Sequence, residues 1–174
     1  MSRIRPIDYD NASLSVKEEF EDQIGKHGRI TNMKRTLLHS LPSFYALMEW
    51  YDLRTELLTF VGEREFNLLS YAISEENDCL ICSSFFRKIL IDSGDNPDNP
   101  YLSHKEQALI EFGRLCVKNP NGVDDVLFEK LRSYFDDSQI VALTAFAGLM
   151  IATNLINNVL KVELDEYLTN YTKR

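Results

Sequence analysis

Apolar residues recur at helical spacing along most of the chain. Ser15-Val16-Lys17-Glu18 has a capping-box pattern and opens a helix that ends near Gly25 or Gly28. Met33 to His39 reads as a short helix, broken at Leu41-Pro42, and Pro42 suits the first turn of the next one. That next helix carries Phe44, Leu47, Met48, Tyr51, Leu53 and Leu57 at three-to-four spacing. After Gly62, Glu63 to Ile73 presents Phe66, Leu69 and Ile73 on one face, and Asn77-Asp78 reads as the cap of a helix from Cys79 to about Ile91. Ser93 to Tyr101 is the clearest loop, with Gly94, Pro97 and Pro100. Ser103-His104-Lys105-Glu106 is a second capping box for a helix to about Val117, and Asn119 to Gly122 is a turn. Val123 to Tyr134 is amphipathic, Asp136-Asp137 caps a long apolar helix, and Glu163 to Tyr171 forms a last one. Strand signals are nearly absent. The expected architecture is an all-α helical bundle, a single domain over residues 1–174.

The long apolar helix changes the picture in two ways. From Gln139 to Leu160 there is no charged residue, which raises the question of a membrane span. Thr153, Asn154, Asn157 and Asn158 end that character, so a buried central helix is expected and no membrane association. A helix apolar nearly all round must be covered on every side. Either the chain's own core does this, or a partner subunit packs on the small-residue line Ala145, Gly148 and Ala152. In the second case Asn154 and Asn158 need hydrogen-bond partners inside that contact.

Composition narrows the function classes. Lys and Arg number 19 and Asp and Glu 27, a net charge of −8. That balance lacks the cationic footprint of a nucleic-acid binder and disfavours anionic membrane surfaces. Three Cys build no disulfide framework. The N-terminal segment Met1 to Asp10 has no apolar core of a secretory signal, so the cytoplasm is the expected location. There is no Gly-rich phosphate loop, no HExxH and no GxSxG elbow.

The segment that carries chemistry is Glu75-Glu76-Asn77-Asp78-Cys79-Leu80-Ile81-Cys82. It places a C-x-x-C at an expected helix start, where positions three apart are neighbours. A helix N-terminus favours negative charge and lowers a thiol pKa, and such a dithiol can oxidise and reduce. Two other readings stay open: buried apolar cysteines, and half of a zinc site whose remaining candidates, Cys116, His27, His39 and His104, are unpaired in sequence. No metal is expected. Glu75, Glu76 and Asp78 oppose thiol ionisation unless one is desolvated and serves as a proton acceptor. Cys116, beside Phe112 and Leu115, reads as core packing.

Together these segments resemble the carboxymuconolactone decarboxylase superfamily, in particular its AhpD-like alkylhydroperoxidase and peroxidase-related branch. The resemblance runs from about residue 37 to 160. It rests on Thr36 to Pro42, on Arg64-Glu65-Phe66 through Cys82, on Leu102-Ser103 with Glu106, and on Phe135 to Gln139. It implies an AhpD-like all-α fold, a homo-oligomer (dimer, trimer or hexamer), and no cofactor. It also implies that Cys82 attacks peroxide and that Cys79 resolves the product as a disulfide. Two positions depart from the family pattern. Phe86 stands where the branch has a His one turn after the second Cys, and Asn67 stands where it has a Glu twelve residues before the first. A two-residue shift would bring Glu65 into that place, and His39 is the other candidate for a proton relay. Losing the His removes a general base commonly worth about 10²–10⁴ in rate.

Three functions follow. The first is a thiol-dependent peroxidase or disulfide oxidoreductase acting through Cys79 and Cys82, with a hydroperoxide substrate and an external dithiol electron donor. The second is a cofactor-independent decarboxylase-like enzyme acting on a small carboxylated lactone, which has no need of a C-x-x-C. The third is a non-catalytic oligomeric member that has lost the relay, for which Phe86 and Asn67 speak most directly. The dithiol favours the first.

Overall fold

The computed structural model of the chain describes residues 2–173. Among the described residues there are nine α-helices, three short 3-10 turns and no strand. The helices are α1 (Leu14–His27), α2 (Asn32–Leu37), α3 (Leu41–Met48), α4 (Trp50–Leu57), α5 (Glu63–Glu76), α6 (Leu80–Asp92), α7 (His104–Lys118), α8 (Asp125–Arg132) and α9 (Asp137–Leu160).

Helix α5 is the axis of the bundle. Residues Phe66 to Ser74 are all buried. It packs along α6 and α7, and α9 crosses α4 and α5. The two serines within its buried stretch are satisfied locally, Ser70 Oγ donating to the Phe66 carbonyl and Ser74 Oγ to that of Ser70, each at 2.8 Å. Gly113 of α7 lets that helix approach α5 closely: a Cβ there would lie 2.7 Å from Leu69 Cδ1 and 3.0 Å from Ile73 Cγ1. The main core joins α4 to α9, a second gathers Val16, Phe20, Leu37, Leu38, Phe44 and Leu47 near the N-terminus, and a third surrounds Cys79, Ile81 and Cys82.

Several boundaries differ from the sequence reading. The first helix takes Ser13, not Ser15, as its N-cap, and ends at Gly28 in the left-handed region (φ 72°). The helix expected from Pro42 through Leu57 is divided at Glu49 into α3 and α4. The expected cap at Asn77-Asp78 moves to Cys79, because Asp78 takes a positive φ of 51° and turns the chain between α5 and α6. Asp adopts this conformation at lower cost than most residues. Helix α8 is shorter than Val123 to Tyr134, starting after Asp124, whose side chain accepts from Leu127 N at 2.9 Å. The last element is a 3-10 turn at Glu166–Tyr171. The capping boxes at Ser103/Glu106 and Asp136/Gln139 form with both bonds closed.

The loop from Ser93 to Tyr101 is pinned by two arginines. Arg64 meets Asp95 at 2.8 and 3.1 Å, the Tyr101 carbonyl at 3.0 Å, and Glu106. Arg87 grips Asp98 with two bonds of 2.6 Å.

Helix α9 is long and apolar enough by composition to cross a membrane. Here its Leu143, Phe146, Ala147 and Met150 lie in the core. Asn158 donates to the Asn77 carbonyl at 2.8 Å, so its partner is inside this chain and not across a subunit contact. Asn154 is fully buried, and neither of its side-chain polar atoms has a partner among the described residues.

Candidate active site

The dithiol sits where α6 begins. Cys79 is the N-cap and Cys82 the third residue of the first turn, so both side chains lie at the positive end of the helix. The N-cap is fixed by its neighbours: Cys79 N donates to the Ser74 carbonyl at 3.0 Å, and Asn158 holds Asn77 from α9. Both sulfurs are buried, Cys79 to 1% residual exposure and Cys82 to 6%. Ile81, Val162 and Leu168 pack around them. The C-terminal turn thereby covers the pair.

Asn157 of α9 ties the two sulfurs together. Its Nδ2 lies 3.2 Å from Cys82 Sγ and 3.8 Å from Cys79 Sγ, while its Oδ1 is buried without a partner. The two thiols have opposite acidities. The hydrogen bond that Cys79 receives from Cys82 lowers its pKa below the ordinary thiol value, against the effect of burial. The N–H groups of Cys82 and Ile81 and the Asn157 amide act in the same direction, although no cap bond of regular geometry closes on the sulfur. Cys82 is pushed well above the ordinary value by the same bond and by burial, with Asn157 opposing. The pair therefore ionises first at Cys79, with the remaining proton on Cys82.

Cys82 opens onto a cavity of about 510 Å³. That size accommodates a ring-sized organic molecule. One wall is aromatic. The Trp50 ring lies 5.8 Å from Phe66, 6.4 Å from Phe86 and 5.1 Å from Tyr51. Trp50 Nε1 donates to Met150 Sδ at 3.0 Å, which fixes the indole.

The sequence candidates separate. Cys79 and Cys82 come together as described. Glu65 does not reach the cavity: its Oε2 accepts from Gly62 N at 2.8 Å and from Lys105 Nζ at 3.0 Å, so it caps α5 and forms an ion pair there. His39 is exposed, its Nε2 2.9 Å from the Arg5 carbonyl, and it too lies off the cavity. Asn67 and Phe86, the two residues that depart from the expected pattern, both line the cavity. Cys116 is away from the pair, and burial raises its pKa to about 11. Among the described residues no three His, Cys, Asp or Glu side chains converge as a metal-ligand group.

Two members of the site were not assigned to it from sequence. Asn157 was visible as a polar break in an apolar helix, but its partners lie 75 and 78 residues away. Lys34 sits in α2, a segment read only as a short helix. It lines the same cavity at 5% exposure.

No protein-family model and no curated protein matches this sequence. Solved structures do. A peroxidase-related protein from Ralstonia eutropha JMP134, described as an alkylhydroperoxidase AhpD core, superposes with a TM-score of 0.79 at 20% identity, covering 96% of this chain and 94% of that one. The debrominase Bmp8 superposes at 0.75 and 15% identity, covering 97% and 95%. A peroxidase-related protein from Silicibacter sp. TM1040 superposes at 0.73 and 17% identity, covering 94% and 93%. A cysteine-to-alanine variant of Bmp8 is known in complex with 2,3,4-tribromopyrrole. The chain thus has, over nearly its full length, the fold of these AhpD-like and peroxidase-related proteins.

Proposed function

We propose that the chain is a dithiol-dependent reductase of hydroperoxides. The observation that carries this reading is the placement of Cys82 on the wall of a ring-sized cavity, with the more acidic Cys79 bonded behind it and Asn157 spanning both.

The chemistry follows from the proton's position. Cys82 attacks the terminal oxygen of the hydroperoxide as its proton passes to the Cys79 thiolate. An S–O bond forms, the O–O bond breaks, and the alkoxide leaves and takes a proton from water. Cys79 then attacks the Cys82 sulfenic sulfur, the disulfide closes, and water departs. Two electrons have moved from sulfur to oxygen, and an external dithiol restores the pair by exchange. In this scheme Cys79 supplies the base that the family His would provide, which accommodates Phe86 in its place.

The test is mass spectrometry after one equivalent of cumene hydroperoxide. Loss of two hydrogens' mass, mapped to a Cys79–Cys82 disulfide and reversed by dithiothreitol, is expected. Thiols that stay reduced over many minutes refute the reading.

A second reading draws on the aromatic wall and the likeness to a debrominase. The same two electrons would replace a ring bromine by hydrogen, releasing bromide and a proton as the disulfide forms. Bromide release from a brominated pyrrole, in the absence of cumene hydroperoxide turnover, would favour it. We further infer that the working unit is a homo-oligomer, on the strength of an open apolar face of α9 considered below.

A further inference from the structure

We propose that Lys34 and Tyr51 form an anion anchor in the cavity, so that the molecule Cys82 acts on is a ring-sized apolar compound bearing a carboxylate. This deepens the dithiol reading and rests on it for the chemistry, though not for the binding.

The argument starts from an unusual lysine. A cation this buried normally has a carboxylate partner. Lys34 has only neutral ones: its Nζ donates to Gln23 Oε1 and, at 2.8 Å, to the Tyr51 hydroxyl. Nearby carboxylates have bonds elsewhere. Asp22 pairs with Lys26 at 2.8 Å and Glu63 with Arg54 at 3.1 Å; Asp165, which also lines the cavity, accepts from Asn32 N at 2.9 Å through Oδ1, while its Oδ2 is buried without a partner among the described residues and feels Arg35 and Arg29. The desolvation is real enough to lower the Lys34 pKa to about 8, which still leaves it charged at neutral pH.

The donors that remain point to the ligand. An ammonium has three N–H groups, and two are used. The third has no acceptor among the described residues. The Tyr51 hydroxyl accepts from Lys34, so its own hydrogen is also free. Both residues line the cavity. Two adjacent unused donors, one of them charged, suit the two oxygens of a carboxylate. Trp50, Phe85 and Phe86 on the same cavity suit an apolar ring.

Lys34 is not the counter-ion of the thiolate. Its Nζ bonds to Gln23 and Tyr51, and the side-chain amide that reaches both sulfurs is that of Asn157. The lysine's place is at the substrate's other end.

The experiment separates binding from redox chemistry by using an inert probe. Isothermal titration at pH 7 compares 4-isopropylbenzoate with its methyl ester, on the wild-type chain and on Lys34→Met. Wild type is expected to prefer the carboxylate by about 10–100-fold, and the Met variant by less than about threefold. Tyr51→Phe, which keeps the ring, is expected to lose part of that preference and carries the test if the Met variant does not fold. Equal binding of acid and ester, or a preference that survives both substitutions, overturns the proposal. Carboxylate binding with thiols inert to hydroperoxide would sustain the anchor and defeat the peroxidase reading. Hydroperoxide reduction with no carboxylate preference would do the reverse.

Discussion

At the scale of single residues, Asn157 has the most to answer for. Its amide approaches both sulfurs, and it lowers the pKa of each. Asn157→Leu keeps the shape and removes the donor, and it also removes the orphaned Oδ1. The thiolate loses a stabilising contact, so the pH midpoint of thiol alkylation is expected to move upward. Iodoacetamide labelling at pH 7 should slow by about 3–10-fold. A midpoint that stays put would mean the thiols set their acidity without the amide. The C-x-x-C was legible because its spacing is local and the helix start around it was readable. Asn157 and Lys34 were not, because what matters in each is a partner distant in sequence: the sulfurs for one, Gln23 and Tyr51 for the other. Glu65 reads as a relay candidate, whereas its carboxylate is taken up by Gly62 N, three residues back, and by Lys105, forty residues on.

At the scale of elements, the site depends on how closely α7 presses α5, because α5 carries Asn67 and hands the chain to the dithiol turn. Gly113 sets that spacing. Leu69 and Ile73, which a Cβ would meet, are fully buried and have little room to yield. Gly113→Ala is therefore expected to cost about 1–3 kcal/mol by overpacking, despite the gain in helix propensity. Urea unfolding checks this, and an unchanged midpoint would mean the two helices can separate freely. Most elements were legible from spacing and caps: the two closed capping boxes and Pro42 mark real starts. Of the misplaced boundaries, the start of α8 follows a local cap at Asp124, and two others serve tertiary contacts. The break at Glu49 lets Trp50 turn toward Phe66 and Phe146, and the positive φ at Asp78 delivers Cys79 to the cap.

At the scale of the whole molecule, α9 buries one face and leaves another open. Val141 (68% exposed), Ala145, Gly148, Ala152, Leu155 (58%) and Val159 follow one another in steps of four, three, four, three and four. That is the spacing of a seam between two helices. All but the half-buried Ala152 are exposed, and a Cβ on Gly148 would meet nothing within 4 Å. Of the small residues seen in sequence, Ala145 and Gly148 thus lie on the side the core leaves uncovered, where a second copy's helix can come close, while Ala152 packs partly on the N-terminal core. Size-exclusion chromatography with light scattering is expected to give a closed oligomer for the wild-type chain and a monomer for Leu155→Glu. Gly148→Gln is the sharper variant. In a monomer it should stabilise α9 by about 0.5–1 kcal/mol, because glycine is a poor helix former and the side chain has open space. At a helix seam the same side chain blocks contact. A variant that melts higher as an isolated chain yet no longer associates would place the seam on this face. One that associates as well as wild type would move the interface elsewhere and leave the stripe as exposed surface.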